Sequence, residues 1–189
     1  MLSNYRFIGK NLDVSDILKQ LNDNPQDWNA VSKMQNTGGD VNPYGFLPLV
    51  MAKVAFAGDD PKNTEMQQQT PMYKKYTSIR KFLKNYGIKE ISRAAFFRLK
   101  VGHGVERHID VGDYYLKRDR FHIALSGTYL YEVDGEEHVI EPGTFFWFDN
   151  KKYHSALNIG DVDRVSFVFD VPHRIPHPNN SRNFLKDML

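Results

Sequence analysis

Ala94-Ala95-Phe96-Phe97-Arg98-Leu99-Lys100-Val101 is where the hydrophobic period of this chain changes from helical to two. Ala95, Phe97, Leu99 and Val101 fall on one face of an extended strand, with Phe96, Arg98 and Lys100 on the other. Successive strand side chains point to opposite sides, so this alternation is a strand signature. Further strand-like runs follow at Val105–Asp110, Arg120–Leu125, Thr128–Val133, Glu137–Ile140, Thr144–Phe148, His154–Asn158 and Arg164–Val171. Asp134-Gly135 and Pro142-Gly143 supply turns between them. Many short strands broken by turn signals predict a mainly β fold with flanking helices, a sandwich or double-sheet jelly roll.

Upstream, the chain reads as a short strand at Tyr5–Ile8 and then helices that can cover one sheet. Asp13–Asn22 places Val14, Ile17, Leu18 and Leu21 on one helical face, with Asp13 or Ser15 as the cap. Trp28–Met34 reads as a strand closed by the turn-forming Thr37-Gly38-Gly39-Asp40. The apolar Phe46–Phe56 fits strand or helix, and the polar Gly58–Gln69 a surface loop. Thr70-Pro71 predicts an N-cap with proline in the first turn; Tyr73, Tyr76, Ile79, Phe82, Leu83 and Tyr86 then repeat at helical spacing until Gly87. Pro176 and Pro178 take the tail out of the sheet before a short helix at Ser181–Met188. The expected organisation is one domain over residues 1–189: a helix-containing part (1–90) packed on the sheet, a core jelly roll with the site (91–172) and a tail (173–189).

With 189 residues, 41% hydrophobic and 13% aromatic, the chain can close one substantial core. Its 25 basic and 23 acidic residues give a net charge of +2, with the basic ones dispersed, so neither nucleic acid nor an anionic membrane is an expected partner. The absence of cysteine excludes disulfides, thiolate metal sites and cysteine nucleophiles. Met1-Leu2-Ser3-Asn4-Tyr5-Arg6 lacks the regions of a secretory signal, and no apolar run reaches spanning length, so a cytoplasmic location is expected. No coiled-coil pattern is present from which an oligomeric state could be read.

His108 and Asp110 are two apart, so on a strand both project from one face and can share a metal. His154 comes 154 − 108 = 46 residues later, far enough for another strand to bring it across. Two histidines and a carboxylate are the ligand set of a non-haem Fe(II) site, which leaves positions open for a co-substrate and oxygen. Alone, His-x-Asp is also what a solvated strand face shows. Arg120 and His122 share a second strand face, and burying them together is costly unless an anion compensates; a bound carboxylate would do so. Arg164 and Ser166 repeat the geometry, with a guanidinium to grip a carboxylate and a hydroxyl to add a third bond. Each pair alone reads as surface; three on successive strands of an otherwise apolar sheet do not. Asp149 or Asn150 could orient the ligands. His103, between glycines, fits a turn, and His138, His173 and His177 lack a partner pattern. In Phe145-Phe146-Trp147-Phe148, one alternating pair could line the barrel.

Phe148-Asp149-Asn150-x-x-x-His154, then Asn158-x-Gly160-Asp161-x-Asp163-Arg164 and Phe169-Asp170-Val171, resembles the aspartyl/asparaginyl β-hydroxylase family of Fe(II)/2-oxoglutarate dioxygenases. Arg120-x-His122-Ile123-x-Leu125 is similar to that family's other signature, and the similarity covers about residues 93–172. The resemblance implies a double-stranded β-helix of cupin type, with iron on His108, Asp110 and His154 and 2-oxoglutarate contacts from Arg120, His122 and Arg164. Ser166 is added from strand geometry. Ala124 stands where many relatives have proline; Asp110 is present where some relatives lack the carboxylate, which favours hydroxylation. The resemblance further implies Fe(II), 2-oxoglutarate and O2 as cofactor and co-substrates, with ascorbate as support. The partner is then a small-molecule or peptide substrate: an amino acid, or an Asp, Asn or Pro residue. Arg98, Tyr114 and Tyr115 are candidate substrate contacts, although Val111–Asp119 also fits a solvated hairpin. The rivals are a metal cupin with isomerase or lyase chemistry, which would not need both Arg120 and Arg164, and a non-catalytic metal- or dicarboxylate-binding protein.

Overall fold

The computed structural model describes residues 3–29, 44–53 and 60–172. Three strands precede the change of period, β1 (Tyr5–Gly9), β2 (Tyr44–Ala52) and β3 (Gln67–Gln69). Eight follow it: β4 (Ala94–Leu99), β5 (Gly104–His108), β6 (Arg118–Ser126), β7 (Tyr129–Val133), β8 (Glu136–Ile140), β9 (Phe145–Phe148), β10 (His154–Asn158) and β11 (Arg164–Pro172). One sheet has the order β1-β9-β6-β11-β4-β2-β3, and the other β5-β10-β7-β8, all pairs antiparallel. From β4 onward the chain crosses from sheet to sheet with each strand, except at the β7–β8 hairpin. This wrapping is a double-stranded β-helix, the jelly roll that the strand pattern predicts.

The turns follow from local chemistry. Asp134 and Gly135 both have positive φ, the conformation of a two-residue hairpin turn whose twist matches the flanking strands. Gly143 has φ +80, and a Cβ there would come within 2.7 Å of the Leu12 carbonyl oxygen, so only glycine fits.

Strand alternation divides the apolar residues between two cores. Phe96, Phe121, Ile123, Phe145, Phe167 and Phe169 leave the larger sheet on one side, where Ile17 and Leu21 of α1 (Ser15–Asn22) join them. So do Ile79 and Leu83 of α3 (Thr77–Asn85), which follows the short α2 (Pro71–Lys75). Tyr129, Tyr131, Val133, Phe146 and Phe148 fill the space between the sheets. Phe146 and Phe148 are therefore the pair inside the barrel. Burying a side chain of this size stabilises by about 1.5–3 kcal/mol, so both cores are substantial.

Several expectations change. The single helix after Thr70 breaks at Tyr76 (φ −82°, ψ 78°). Its ring is fully buried and its hydroxyl donates to Asp27 at 2.9 Å, a tertiary bond that outweighs helical periodicity. Thr70 does cap α2, accepting from the Met72 N–H, and Gly87 has the positive φ of a helix stop. At α1, Val14 holds the N-cap position and no side chain caps it; the Asp13 carboxylate instead accepts from the Ser15 N–H. Trp28 lies in a 3-10 turn, Pro25–Asn29, and not in a strand. Gln67–Gln69, expected in a loop, adds an edge strand beside β2. The rest of the strand expected at 28–34, the turn at 37–40 and the helix at 181–188 lie outside the described residues. Among the described residues no helix is long and apolar enough to cross a membrane.

Candidate metal centre

His108 ends β5 and His154 begins β10, and the two are direct register partners. Their ring centroids lie 4.3 Å apart. Asp110, two residues past β5, brings its Oδ2 to 4.0 Å from His154 Nε2. One ligand atom from each of the three lies within 4.8 Å of the others, a group that could hold a metal ion. The backbone sets the imidazoles for this: His108 Nδ1 is 2.8 Å from the Glu106 carbonyl, and His154 Nδ1 2.9 Å from the Lys152 carbonyl. With the proton donated from Nδ1, Nε2 presents its lone pair, which is the form a ligand needs. Burial pushes the His154 imidazole down, which keeps it neutral. Two nitrogen donors and one carboxylate suit a divalent transition metal.

Asp110 is held firmly. Its Oδ2 accepts from Arg120 Nη1 at 2.8 Å and from Asn150 Nδ2 at 2.9 Å. Arg120 also donates through Nε and Nη2 to the two oxygens of Asp170, at 2.8 and 3.0 Å, and Tyr114 adds its hydroxyl to Asp170 at 3.0 Å. Burial pushes the Asp110 carboxyl up, but Arg120 and Asn150 outweigh it and hold the group below the usual carboxylate range. Burial likewise works against the Arg120 charge, yet Asp170 and Asp110 keep it firmly protonated. Arg120 was expected to wait for the carboxylate of a ligand. Its compensating anions are instead the protein's own, so it fixes Asp110 while lining the cavity.

That cavity, about 510 Å³, lies between the sheets and is lined by His108, Arg120, His122, His154 and Arg164 among others. Its other corner is unsaturated. His122, Arg164 and Ser166 are buried, and His122 Nδ1, Arg164 Nε and Ser166 Oγ have no hydrogen-bond partner among the described residues. The Arg164 guanidinium lies 4.2 Å over the Tyr129 ring. Burial, with Arg164 and Arg120 nearby, pushes the His122 imidazole well down, so it is neutral. A buried polar group without a partner costs about 1–3 kcal/mol, and His122 and Arg164, which line the cavity, make a place that a carboxylate would satisfy, with Ser166 two residues along β11.

The remaining expected site residues are placed differently. Tyr114 is fully buried in α4 (Asp113–Leu116), with its hydroxyl on Asp170 and accepting the Arg93 N–H. Tyr115 packs against the Arg120 guanidinium at 4.9 Å. Neither is among the residues that line this cavity; both pack around the Arg120 and Asp170 corner. Arg98 does line the cavity, but its guanidinium rests 4.9 Å over the Trp28 ring. Of the two proposed orienting residues, Asn150 touches Asp110, whereas Asp149 accepts from the Lys151 N–H. Asp170 was not singled out as a site residue. The available signal was its parity with Arg164 and Ser166 on one strand, a carboxylate within an apolar run.

Two sheets wrapped as a jelly roll, with a His-Asp-His group at one end of the space between them, define a cupin-like protein with a possible metal site. A family model described as aspartyl/asparaginyl beta-hydroxylase matches residues 14–174, and the chain belongs to that family. A search among curated proteins gives no match. Similar solved structures include the Cnp3 cupin domain of Schizosaccharomyces pombe (11% identity, 75% of this chain and 74% of that one, TM-score 0.43). Others are a predicted oxalate decarboxylase from Thermotoga maritima (18%, 49% and 73%, TM-score 0.38) and KdgF from Halomonas sp. (21%, 51% and 74%, TM-score 0.35). These likenesses say nothing of this chain's chemistry.

Proposed function

We propose that the chain is an Fe(II)- and 2-oxoglutarate-dependent dioxygenase that hydroxylates a C–H bond. The substrate is an amino acid, or an Asp, Asn or Pro residue in a peptide, with succinate and CO2 as co-products. The observation that carries this reading is the unsaturated Arg164 corner, which shares one cavity with the His-Asp-His group in a chain of a hydroxylase family. His108, Asp110 and His154 would hold the iron, which when bound supplies oxygen activation, with 2-oxoglutarate as the reductant.

The chain's own residues bind, orient and shield. Arg164, with the Ser166 hydroxyl on the same strand face, would grip the distal carboxylate of 2-oxoglutarate, and neutral His122 would donate an N–H beside them. Arg120, braced by Asp170, holds the Asp110 carboxylate in one orientation. The cavity is of the size that small-molecule sites occupy.

The test is succinate formation from 2-oxoglutarate in air, with Fe(II) and ascorbate, across amino acids, short peptides and a blank. Substrate-stimulated succinate that Arg164→Ala abolishes is the expected result. If 2-oxoglutarate neither binds nor decarboxylates with iron verified in the site, the co-substrate assignment fails and a non-oxygenase metal cupin takes its place.

A further inference from the structure

The outer part of the cavity is built unlike its floor. One wall is aromatic: Tyr44, Phe46 and Phe97 all line it. Phe46 and Phe97 are register partners on β2 and β4, with ring centroids 5.2 Å apart. The Tyr44 hydroxyl donates to the Gly104 carbonyl at 2.9 Å, which ties that ring to β5 in the opposite sheet. Phe97 remains 39% exposed although it belongs to a concave surface, so its face is open to a ligand.

β5 contributes Glu106, which lines the same cavity and is exposed. Among the described residues its carboxylate has no hydrogen bond or ion pair. The neighbouring cations are committed elsewhere. Arg98 rests on Trp28, Arg107 lies 4.4 Å over Tyr153 and 3.7 Å from Glu132, and Arg120 is held by Asp110 and Asp170. Arg164, with its free Nε, belongs to the buried floor. Among the described residues the mouth therefore offers π faces and a carboxylate without a counter-ion.

We propose that the substrate is held at this mouth by a cationic side chain, an alkylammonium or guanidinium on an aliphatic stem. The stem lies against Tyr44, Phe46 and Phe97, and the charge rests between those rings and Glu106. Ring quadrupoles and a carboxylate attract the same charge, so the two walls act together. An aspartyl side chain would place like charge beside Glu106 and is the substrate this mouth disfavours. That the bound molecule is then oxidised rests on the oxygenase reading; that it is cationic does not.

The test uses probes blocked at both backbone ends, so that the side chain carries the only charge: Nα-acetyl-lysine, -norleucine and -aspartate N-methylamides. Their affinities are measured by calorimetry under nitrogen on the full chain, with and without Fe(II) and 2-oxoglutarate, and 2-oxoglutarate binding is measured separately. The lysine probe is expected to bind about tenfold tighter than norleucine, with aspartate weakest. Glu106→Gln should bring lysine to the norleucine level and leave norleucine unchanged. Equal or tighter binding of norleucine or aspartate, no measurable binding of any probe, or an unaltered lysine preference in Glu106→Gln overturns the proposal. If the lysine preference holds but 2-oxoglutarate does not bind, the oxygenase reading falls and the cation site stands.

Discussion

Arg120 and Arg164 sit on neighbouring strands, β6 and β11, and line one cavity, yet their surroundings are opposite. Around Arg120, Nε, Nη1 and Nη2 all meet carboxylates, and those carboxylates are themselves held by Asn150 and Tyr114. Around Arg164, the guanidinium leans on a ring, and Nε, His122 Nδ1 and Ser166 Oγ have no partner among the described residues. A saturated buried network has one low-energy arrangement, so it positions a group. An unsaturated one carries a desolvation cost that a ligand can relieve, so it binds. The two arginines, alike in sequence setting, are thus set apart by their partners.

The contrast collapses entirely if the two corners do not flank a metal. Wild-type protein under nitrogen should gain about 2.7 kcal/mol from Fe(II) at a hundred times its Kd, read as a raised Tm, and His154→Ala should gain none. A matching gain in the variant would remove the ligand assignment.

Next in size is the pair of arginine deletions. Arg120→Ala leaves Asp110 and Asp170 buried without a counter-charge and should cost about 3–5 kcal/mol in urea unfolding. Arg164→Ala strands no acidic partner, so its stability should stay close to wild type, while 2-oxoglutarate affinity falls by the roughly 2–5 kcal/mol of a lost buried charge pair. Exchange of these two phenotypes would reverse the roles.

Asp170→Asn sharpens the positioning role. It keeps the shape but weakens the brace on Arg120, and should lower metal affinity by roughly 10–100-fold in a competition titration with a chelator. Unchanged affinity would mean that Asn150 alone orients Asp110. The smallest effect belongs to Ser166→Ala: about 0.5–1.5 kcal/mol of 2-oxoglutarate affinity, with no loss of stability because the hydroxyl has no partner to leave behind. A destabilised variant would show that this hydroxyl has a structural bond.

Much of the fold was legible because strand alternation and turn chemistry are local. The two-residue period after Ala94, Asp134-Gly135 and Pro142-Gly143 led to strands and turns that the structure contains. The His108–Asp110 pair was legible as a pair, but strand parity is not what joins it: β5 ends at His108, and Asp110 beyond it is placed by Asn150 and Arg120. Where a distant partner decided, the reading failed. Tyr76 leaves the helix to reach Asp27, Gln67–Gln69 becomes a strand because the edge of β2 is available, and Tyr114 turns inward to Asp170.

Composition, periodicity and spacing by themselves pointed to a two-sheet β fold with helices beside it, and to a candidate His-Asp-His group with basic pairs on nearby strands. Only the tertiary structure decided which basic residue meets a protein carboxylate and which has none beside it among the described residues. Arg120 and Asp170 are fifty residues apart in sequence yet register partners across β6 and β11. Partner choice between charged groups depends on distances of a few ångströms across strands, and no local pattern encodes them.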